Sequence, residues 1–388
     1  MDLPVLPLTV NFSLISTDAE LIECCLRWQH CEALALDTEF MRVSTFYPKV
    51  GLIQVADGLH ITLIDPLQIT QWQPFSDLMT APQLIKIFHS CSEDLLVFFA
   101  FLKIMPAPVF DTQISSAILN EGKSLSYQNL VKQRFNVDLP KAETRSDWLQ
   151  RPLTAEQLDY AALDVAYLHQ TWRAQVQLLS TLGRESWVLE DCARISQQYN
   201  CEFTKDFSDY YLNFKAAWQL KPRQLLALQK LAEWREQRAR LRDKPRSWII
   251  KDTVLLALAN AMISSKSQLA ALEDVSDNFI RFEGDMVLAL LEAASTAAET
   301  TCPQELDKPL TQGQKNRLKL AQQLIETKAQ ELAIPAEVLG RKRTLQALLY
   351  ALLPKNSADM TSTLDLPDEL LGWRAPFLLE SLTQVLQS

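Results

Sequence analysis

The spacing of hydrophobic residues in this 388-residue chain changes near residue 170. Before that point, short apolar runs alternate with segments in which apolar residues recur every three or four positions. The runs predict four strands, at Leu34–Asp37, Leu52–Ala56, Ile61–Ile64 and Leu84–Phe88. Alternating strands and helices predict an α/β domain. The dipeptide Asp57-Gly58 predicts a hairpin between the second and third strands.

From residue 171 onward the helical period prevails. Residues 171–205 form a connecting helical segment, and one later helix carries a clear apolar stripe made of Leu225, Leu228, Leu231 and Ala232, with Arg235 at its edge. That helix should end before Pro245, and a further apolar helix follows Phe279–Gly284. Pro303 and Pro309 mark a linker. We therefore predict an α/β domain over 1–205 and two all-α domains over 206–298 and 299–388.

Two carboxylates end the first predicted strand. Asp37 and Glu39 are spaced i, i+2, which places both side chains on one face of a strand. Two carboxylates on one face repel each other unless a cation lies between them. Oxygen ligands suit Mg²⁺ or Mn²⁺. The alternative is an acidic strand end that faces solvent.

Two distant segments supply further acidic residues. Ser92 follows an apolar run and is predicted to cap a helix, which would place Asp94 in the first helical turn. Leu158–Leu168 is predicted to be helical, so Tyr160 and Asp164, spaced i, i+4, share one face.

In this order, the three segments resemble the motifs of the 3′→5′ exonucleases with four acidic residues, in their tyrosine-containing branch. The chain as a whole resembles the ribonuclease D family. The resemblance also rests on Asp37-Thr38-Glu39-Phe40, Tyr47-Pro48, Gly51-Leu52-Ile53-Gln54, Ile64-Asp65-Pro66-Leu67, Asp111-Thr112-Gln113 and the segment Ser146–Leu153. It implies a ribonuclease-H-like fold with a mixed sheet, and release of 5′-mononucleotides from a 3′ end. The span of about 210–295 resembles an HRDC domain, and about 305–388 resembles a divergent second one.

The chemistry of phosphodiester hydrolysis fits four carboxylates. Two divalent metal ions can activate water and stabilise the leaving oxygen. We expect Asp37 to bridge both ions, Glu39 and Asp164 to complete the water-activating site, and Asp94 to hold the second ion partly through water. Tyr160 is expected to orient the attacking water, because a tyrosine with a pKa near 10 is a poor base.

Candidate substrate contacts follow the first motif. Phe40 and Met41 could lie against the terminal base, since bases stack on aromatic rings. Gln54, Gln113 and Tyr127 are further candidates. A structural role in the core stays open for Phe40, Gln54, Gln113 and Tyr127.

Charge is distributed unevenly along the chain, whose net charge is −9. Residues 1–205 hold 15 Lys/Arg and 24 Asp/Glu, whereas residues 215–251 hold 11 basic and 3 acidic residues. This basic run, with Arg238, Arg240 and Arg242, predicts contacts to RNA phosphates. Three cations are expected to offset the acidity of the first domain, namely Lys141, Arg145 and Arg151. Solvated charged surfaces are the alternative for both groups.

The remaining expectations concern partners and location. The resemblance implies RNA substrates, notably tRNA precursors with 3′ extensions. Met1-Asp2-Leu3-Pro4 does not open a signal peptide and no apolar stretch is long enough for a bilayer. Seven cysteines without Cys-x-x-Cys spacing indicate reduced thiols, so a cytoplasmic location is expected.

Two other functions stay open. A DNA exonuclease of similar fold would share the same acidic residues, and a paired assay on RNA and DNA separates the two. A non-catalytic RNA-binding module is the other. The intact acidic positions argue against it, because a site without catalytic activity would not need a cluster of carboxylates that repel one another. The helical domains could also serve protein contacts.

Overall fold

The structure is a computed structural model that describes residues 10–140, 146–204, 206–353 and 366–387. The chain forms two compact units. The first comprises 1–41, 48–203 and 310–388, and the second comprises 42–47 and 204–309. The division into three domains stays a prediction. Lys141 and Arg145 lie outside the described residues.

A six-stranded mixed sheet forms the centre of the first unit. Its strands are β1 (Phe12–Ile15), β2 (Ala33–Met41), β3 (Lys49–Ala56), β4 (Ile61–Ile64), β5 (Ile85–Phe88) and β6 (Val109–Asp111). Their order in the sheet is β1-β4-β3-β2-β5-β6. Strands β2, β3 and β4 pair antiparallel, whereas β1/β4, β2/β5 and β5/β6 pair parallel. The predicted mixed sheet and the β3–β4 hairpin are thus confirmed.

The sequence missed the two edge strands and half of β2. Strands β1 and β6 have only four and three residues, too few for a recognisable alternation. Strand β2 does not end at Asp37 but continues to Met41, because β3 pairs with it along that length. Pairing with a neighbour overrides the weak strand preference of acidic residues.

Within the described residues before the helical second unit, the helices are α1 (Asp18–Trp28), α2 (Gln73–Thr80), α3 (Ser92–Leu102), α4 (Thr112–Ile118), α5 (Tyr127–Phe135), α6 (Ala155–Ala166), α7 (Leu168–Leu182) and α8 (Glu185–Thr204). The main apolar core joins the sheet to α1, α2, α3 and α7. Helix α6 packs across β2, β3 and β4 through a smaller cluster that includes Leu52, Leu63 and Ala161. The catalytic candidates on α6 are therefore held against the strand that carries Asp37.

The second unit is all-helical and has its own core. Its helices are α9 (Pro222–Leu241), α10 (Arg246–Ile249), α11 (Asp252–Ala261), α12 (Lys266–Ala270) and α13 (Asp277–Thr296). The end of α9 before Pro245 is as predicted. The segment Phe279–Gly284 lies inside α13, so its prediction as a stretch preceding the helix is wrong: Ser276 caps this helix through its side chain.

The last helices, α14 (Gln312–Leu332), α15 (Ala336–Leu339), α16 (Lys342–Leu352) and α17 (Ala375–Gln387), share a third apolar core and belong to the first unit. Trp187 of α8 stacks on Trp373 with 4.2 Å between ring centroids. Among the described residues, no helix is long and apolar enough to cross a membrane.

Candidate active site

Three of the four predicted acidic residues meet at one point. Asp37 and Glu39 stand on the same face of β2, and α6 brings Asp164 to that face. One carboxylate oxygen from each of the three lies within 4.8 Å of the others. Residues that are more than 120 positions apart in the chain thus form one acidic group, as the motif order predicted.

Asp94 stands at the edge of this group, in the first turn of α3. The hydroxyl of Thr38, between the two strand carboxylates, donates a 2.6 Å hydrogen bond to Asp94. The predicted capping role of Ser92 is wrong, because α3 begins at Ser92 and no side chain caps it. Instead, Asp111 accepts the backbone N–H groups of Ser90 and Cys91 and fixes the turn before the helix.

The electrostatics of the four carboxylates reflect burial and mutual repulsion. Burial raises the pKa of Asp37 well above its ordinary value, and the neighbouring carboxylates, Asp94 first, raise it further. Burial and then the charges of Asp164 and Asp94 raise the pKa of Glu39 to about 9. Burial raises the pKa of both Asp94 and Asp164 to about 7, against the hydrogen bonds that these two carboxylates accept.

Tyr160 lies one helical turn before Asp164, and its hydroxyl bonds the Asp164 carboxylate. Burial, followed by the charge of Asp164, raises the pKa of Tyr160 above its ordinary value. The hydroxyl therefore keeps its proton at neutral pH and can donate a hydrogen bond at the edge of the acidic group.

The acidic group fits divalent cations. Among the described residues, no Lys or Arg forms an ion pair with Asp37, Glu39, Asp94 or Asp164. Half-buried carboxylates that lie this close together repel one another unless a cation lies between them. Oxygen donors at this spacing are the ligands that Mg²⁺ and Mn²⁺ prefer, so this acidic group is suited to divalent metal.

The candidate substrate contacts next to the cluster are partly or wholly buried. Phe40 packs against the main core and Met41 against the α6 cluster. Gln54 stands opposite Asp37 on β3, is 0% exposed, and neither of its amide atoms has a hydrogen-bond partner in the described structure. Whether these three residues touch substrate stays a prediction.

Gln113 and Tyr127 hold the framework of the site. The Gln113 amide donates to the carbonyl of Leu125 at 2.9 Å. The Tyr127 hydroxyl donates to the Leu163 carbonyl at 3.1 Å and accepts the Tyr167 N–H at 3.0 Å. Tyr127 therefore ties α5 to the end of α6, next to Asp164. Their predicted contacts with substrate remain untested.

Arg151 and Gly51 fix the segment that follows the undescribed residues 141–145. Arg151 makes two hydrogen bonds to Asp65, at 2.6 and 2.7 Å, and a third to the Gly51 carbonyl. A β-carbon at Gly51 would lie 2.4 Å from the Trp148 carbonyl oxygen, so only glycine fits this close approach. Arg151 is thus a structural tether, and not a cation directed at the acidic group.

In the helical unit, the predicted phosphate contacts have internal partners. Arg238 donates to Glu283 at 3.0 and 3.2 Å, and Arg242 also pairs with Glu283. Arg240 donates to Glu236 at 2.9 Å. Glu283 and Glu236 are 3% and 0% exposed, so the three arginines balance buried carboxylates.

The arginines between Arg238 and Arg246, called the arginine run below, also contact the short segment Arg42–Tyr47. This segment follows strand β2 and belongs to the helical unit. The ring of Phe46 lies 5.0 Å from the Arg240 guanidinium and 4.8 Å from that of Arg246. Asp243 accepts the backbone N–H groups of Phe46 and Tyr47, both at 2.9 Å.

Two residues that position the site were not singled out from the sequence. Thr38 appeared only as the middle residue of an acidic motif, and Asp111 only as part of Asp111-Thr112-Gln113. Asp111 could have been predicted from its position between a strand and a helix, because aspartate is a favoured N-cap residue. It caps α4 and also accepts the N–H groups ahead of α3.

Comparison with known proteins agrees with this geometry. The family model described as 3′-5′ exonuclease matches residues 12–178, and the HRDC domain model matches residues 224–291. Ribonuclease D of Pseudomonas paraeruginosa is 40% identical over 374 residues, which cover 96% of this chain and 97% of the relative. Ribonuclease D of Escherichia coli is 36% identical, with 97% and 99% covered.

Solved structures agree as well. The crystal structure of Escherichia coli RNase D, an exoribonuclease involved in structured RNA processing, superposes with a TM-score of 0.88 at 35% identity, over 97% of this chain and 99% of that one. The catalytic core of RRP6 from Trypanosoma brucei, at 21% identity and a TM-score of 0.55, shares the fold over 77% of this chain and 84% of that one. The chain therefore belongs to the ribonuclease D family and is a 3′→5′ exoribonuclease with an HRDC domain.

Proposed function

We propose that this exoribonuclease uses two divalent metal ions, Mg²⁺ or Mn²⁺, to remove 5′-mononucleotides from the 3′ extensions of structured RNA, notably tRNA precursors, in the cytoplasm. The observation that carries the proposal is the cluster of Asp37, Glu39 and Asp164 with Asp94 at its edge, in which no carboxylate forms an ion pair with a Lys or Arg of the described residues. The name of the Escherichia coli relative, which processes structured RNA, supports the substrate class. The thiols described in the structure are all free, which supports a reducing compartment.

Each residue of the site has a distinct role in this proposal. Asp37, Glu39 and Asp164 would hold metal, and Asp94 would complete the set from α3 while Thr38 fixes its carboxylate. Two bound metal ions supply an activated water and a stabilised leaving oxygen. Tyr160 keeps its proton and orients the attacking water through its hydroxyl. Phe40 and Met41, which follow the first motif, face the terminal base in this proposal.

A single assay tests the proposal. A tRNA with a short 3′ extension is incubated with the full-length protein in Mg²⁺, in Mn²⁺ and in EDTA, and a DNA oligomer of matched sequence serves as the control. We expect 5′-mononucleotides to be released from the tRNA in either metal and no release in EDTA. Turnover in EDTA would contradict the metal proposal, and preference for DNA would contradict the substrate proposal.

A further inference from the structure

A second polar site lies within the first unit, in a cleft of about 580 Å³. One wall comes from the exonuclease fold, through the start of α3, α4 and the second half of α8. The other wall comes from the C-terminal helices, through residues 337–343 with Glu369 and Arg374. Its lining includes Ser92, which shares the first turn of α3 with Asp94, so the cleft adjoins the element that carries one residue of the acidic cluster.

The charge of this cleft is the opposite of that in the neighbouring active site. Its lining contains five cationic residues, Lys123, Arg194, Arg341, Arg343 and Arg374, and three acidic ones, Asp191, Glu337 and Glu369. Residues 1–205, which supply one wall, carry an excess of nine negative charges. A local cationic excess in such surroundings indicates an anionic ligand.

The three carboxylates of the cleft are already paired. Asp191 accepts two hydrogen bonds from the buried Arg374, at 2.6 and 2.7 Å. Glu337 pairs with Lys123 at 2.7 Å, and Glu369 pairs with Arg343 at 3.0 Å. The first two pairs join the two walls, and the third lies within the C-terminal wall. Arg194 and Arg341 are the cations of the cleft that these pairs do not include.

Two arginines therefore supply the positive charge that remains. Arg194 reaches Asp191 at 3.4 Å, but the Arg374 guanidinium already holds both oxygens of that carboxylate. Arg341 is exposed and has no ion pair with any residue in the described part of the chain. Its side chain makes no capping bond at the start of α16, so it is available to a ligand.

We propose that this cleft binds the phosphodiester backbone of a single-stranded RNA segment, upstream of the 3′ nucleotide, with Arg341 and Arg194 as the phosphate ligands. Small-molecule sites are mostly apolar, whereas a charged groove that tracks a backbone is typical of single-strand binding. Tyr199 in the same lining supplies an aromatic ring on which a base can stack. The proposal deepens the proposed function and rests on it, because it gives the trimmed strand its path.

Binding in EDTA tests the cleft separately from catalysis. Fluorescence anisotropy would give the affinity of the full-length protein for a 12-nucleotide and a 3-nucleotide RNA, over a range of salt concentrations. The variant is Arg341→Gln, and the matched control is Lys342→Gln. Lys342 is the next residue, is equally exposed, and is absent from the cleft lining.

We expect Arg341→Gln to weaken binding of the 12-mer several-fold and to lower its salt slope by about 0.7, the value for one phosphate contact on a single strand. Lys342→Gln should match the wild type. Binding of the 3-mer should be the same in all three proteins, because it ends before the cleft. Arg194→Gln should act in the same direction as Arg341→Gln.

Two results would overturn the proposal. Equal affinities and salt slopes for Arg341→Gln and Lys342→Gln on the 12-mer would make the cleft a solvated charged surface. Equal losses on the 3-mer and the 12-mer would assign it to a mononucleotide. Failure of the proposed function looks different: the wild type would then bind the 12-mer through Arg341 in EDTA, yet release no mononucleotides when Mg²⁺ is added.

Discussion

The acidic cluster of the exonuclease fold and the arginine run of the helical unit differ in how their charges are balanced. In the arginine run, Arg238 and Arg242 face Glu283, and Arg240 faces Glu236. In the acidic cluster, the partners that the described structure offers are uncharged: the hydroxyls of Thr38 and Tyr160 and backbone N–H groups. A charge that is balanced within the fold is structural, whereas a buried charge left without a partner indicates a ligand.

The basic sequence at 215–251 is largely structural, because its arginines have partners inside the fold. Its excess of positive charge predicted RNA binding, but its arginines neutralise buried glutamates and surround Phe46. Reversing Arg238, Arg240 and Arg242 to Glu would disturb these internal pairs together with any RNA contact. The exposed Arg341 of the C-terminal helices, by contrast, is better suited to a test of RNA binding.

The largest effect should come from the acidic cluster. We expect Asp37→Asn to lower kcat/KM on RNA by about 10³-fold or more, because metal binding requires the full carboxylate set. In EDTA, the same variant should unfold at a higher temperature than the wild type, because it removes a repelling charge. The assays are mononucleotide release and thermal unfolding.

The matched control for this variant is Asp159→Asn, which changes an exposed carboxylate of α6 next to Tyr160. It should leave both activity and unfolding temperature near wild-type values. If Asp37→Asn keeps full turnover, or if it destabilises the metal-free protein, the carboxylates are not an unbalanced metal site.

Substitutions in the arginine run and its partners should change the stability of the protein and not its catalytic rate. We expect Glu283→Gln to lower the free energy of unfolding by about 2–3 kcal/mol, because Arg238 and Arg242 lose a buried partner. The value is below the range for fully buried pairs, since the two arginines are 32% and 46% exposed. Urea unfolding of the full chain measures the change.

Asp285→Asn is the control for that measurement. It lies on the same helix and pairs with Lys266, but it is 80% exposed, so it should cost about 0–1 kcal/mol. Equal effects of the two substitutions would show that Glu283 does not balance the arginine run.

A smaller effect is expected at Tyr160. Tyr160→Phe keeps the ring and removes the hydroxyl that bonds Asp164. We expect kcat to fall by about 10–100-fold with little change in KM, because positioning of water acts mainly in the transition state. Steady-state kinetics on a short RNA oligomer separate the two constants. A rise in KM at unchanged kcat would instead give Tyr160 a role in binding substrate.

The smallest effect concerns pH. Asp94 and Asp164 have pKa values raised from 3.8 to about 7 in the folded protein. A raised carboxyl pKa means that the folded state binds more protons, so stability is greatest below about pH 4 for this contribution and is lost as pH rises through 7. In EDTA, the unfolding temperature of the wild type should fall over this range more steeply than that of Asp37→Asn. Saturating Mg²⁺ should reduce the slope, and an equal slope with and without metal would contradict the assignment.

Local sequence patterns were sufficient to predict the elements that carry the chemistry. The i, i+2 spacing of Asp37 and Glu39 and the i, i+4 spacing of Tyr160 and Asp164 are local periodicities, and each survives in its strand or helix. The apolar runs gave four strands and the change of period gave the helical half. Family resemblance supplied the order in which the acidic motifs meet.

Which charges are compensated depends on the packing of distant segments. The edge strands β1 and β6 exist because neighbouring strands pair with them. Arg238 and Arg341 look alike in the sequence, yet one meets a buried glutamate and the other faces a cleft. Charge balance depends on distances between residues far apart in the chain, and these distances cannot be predicted from the local sequence.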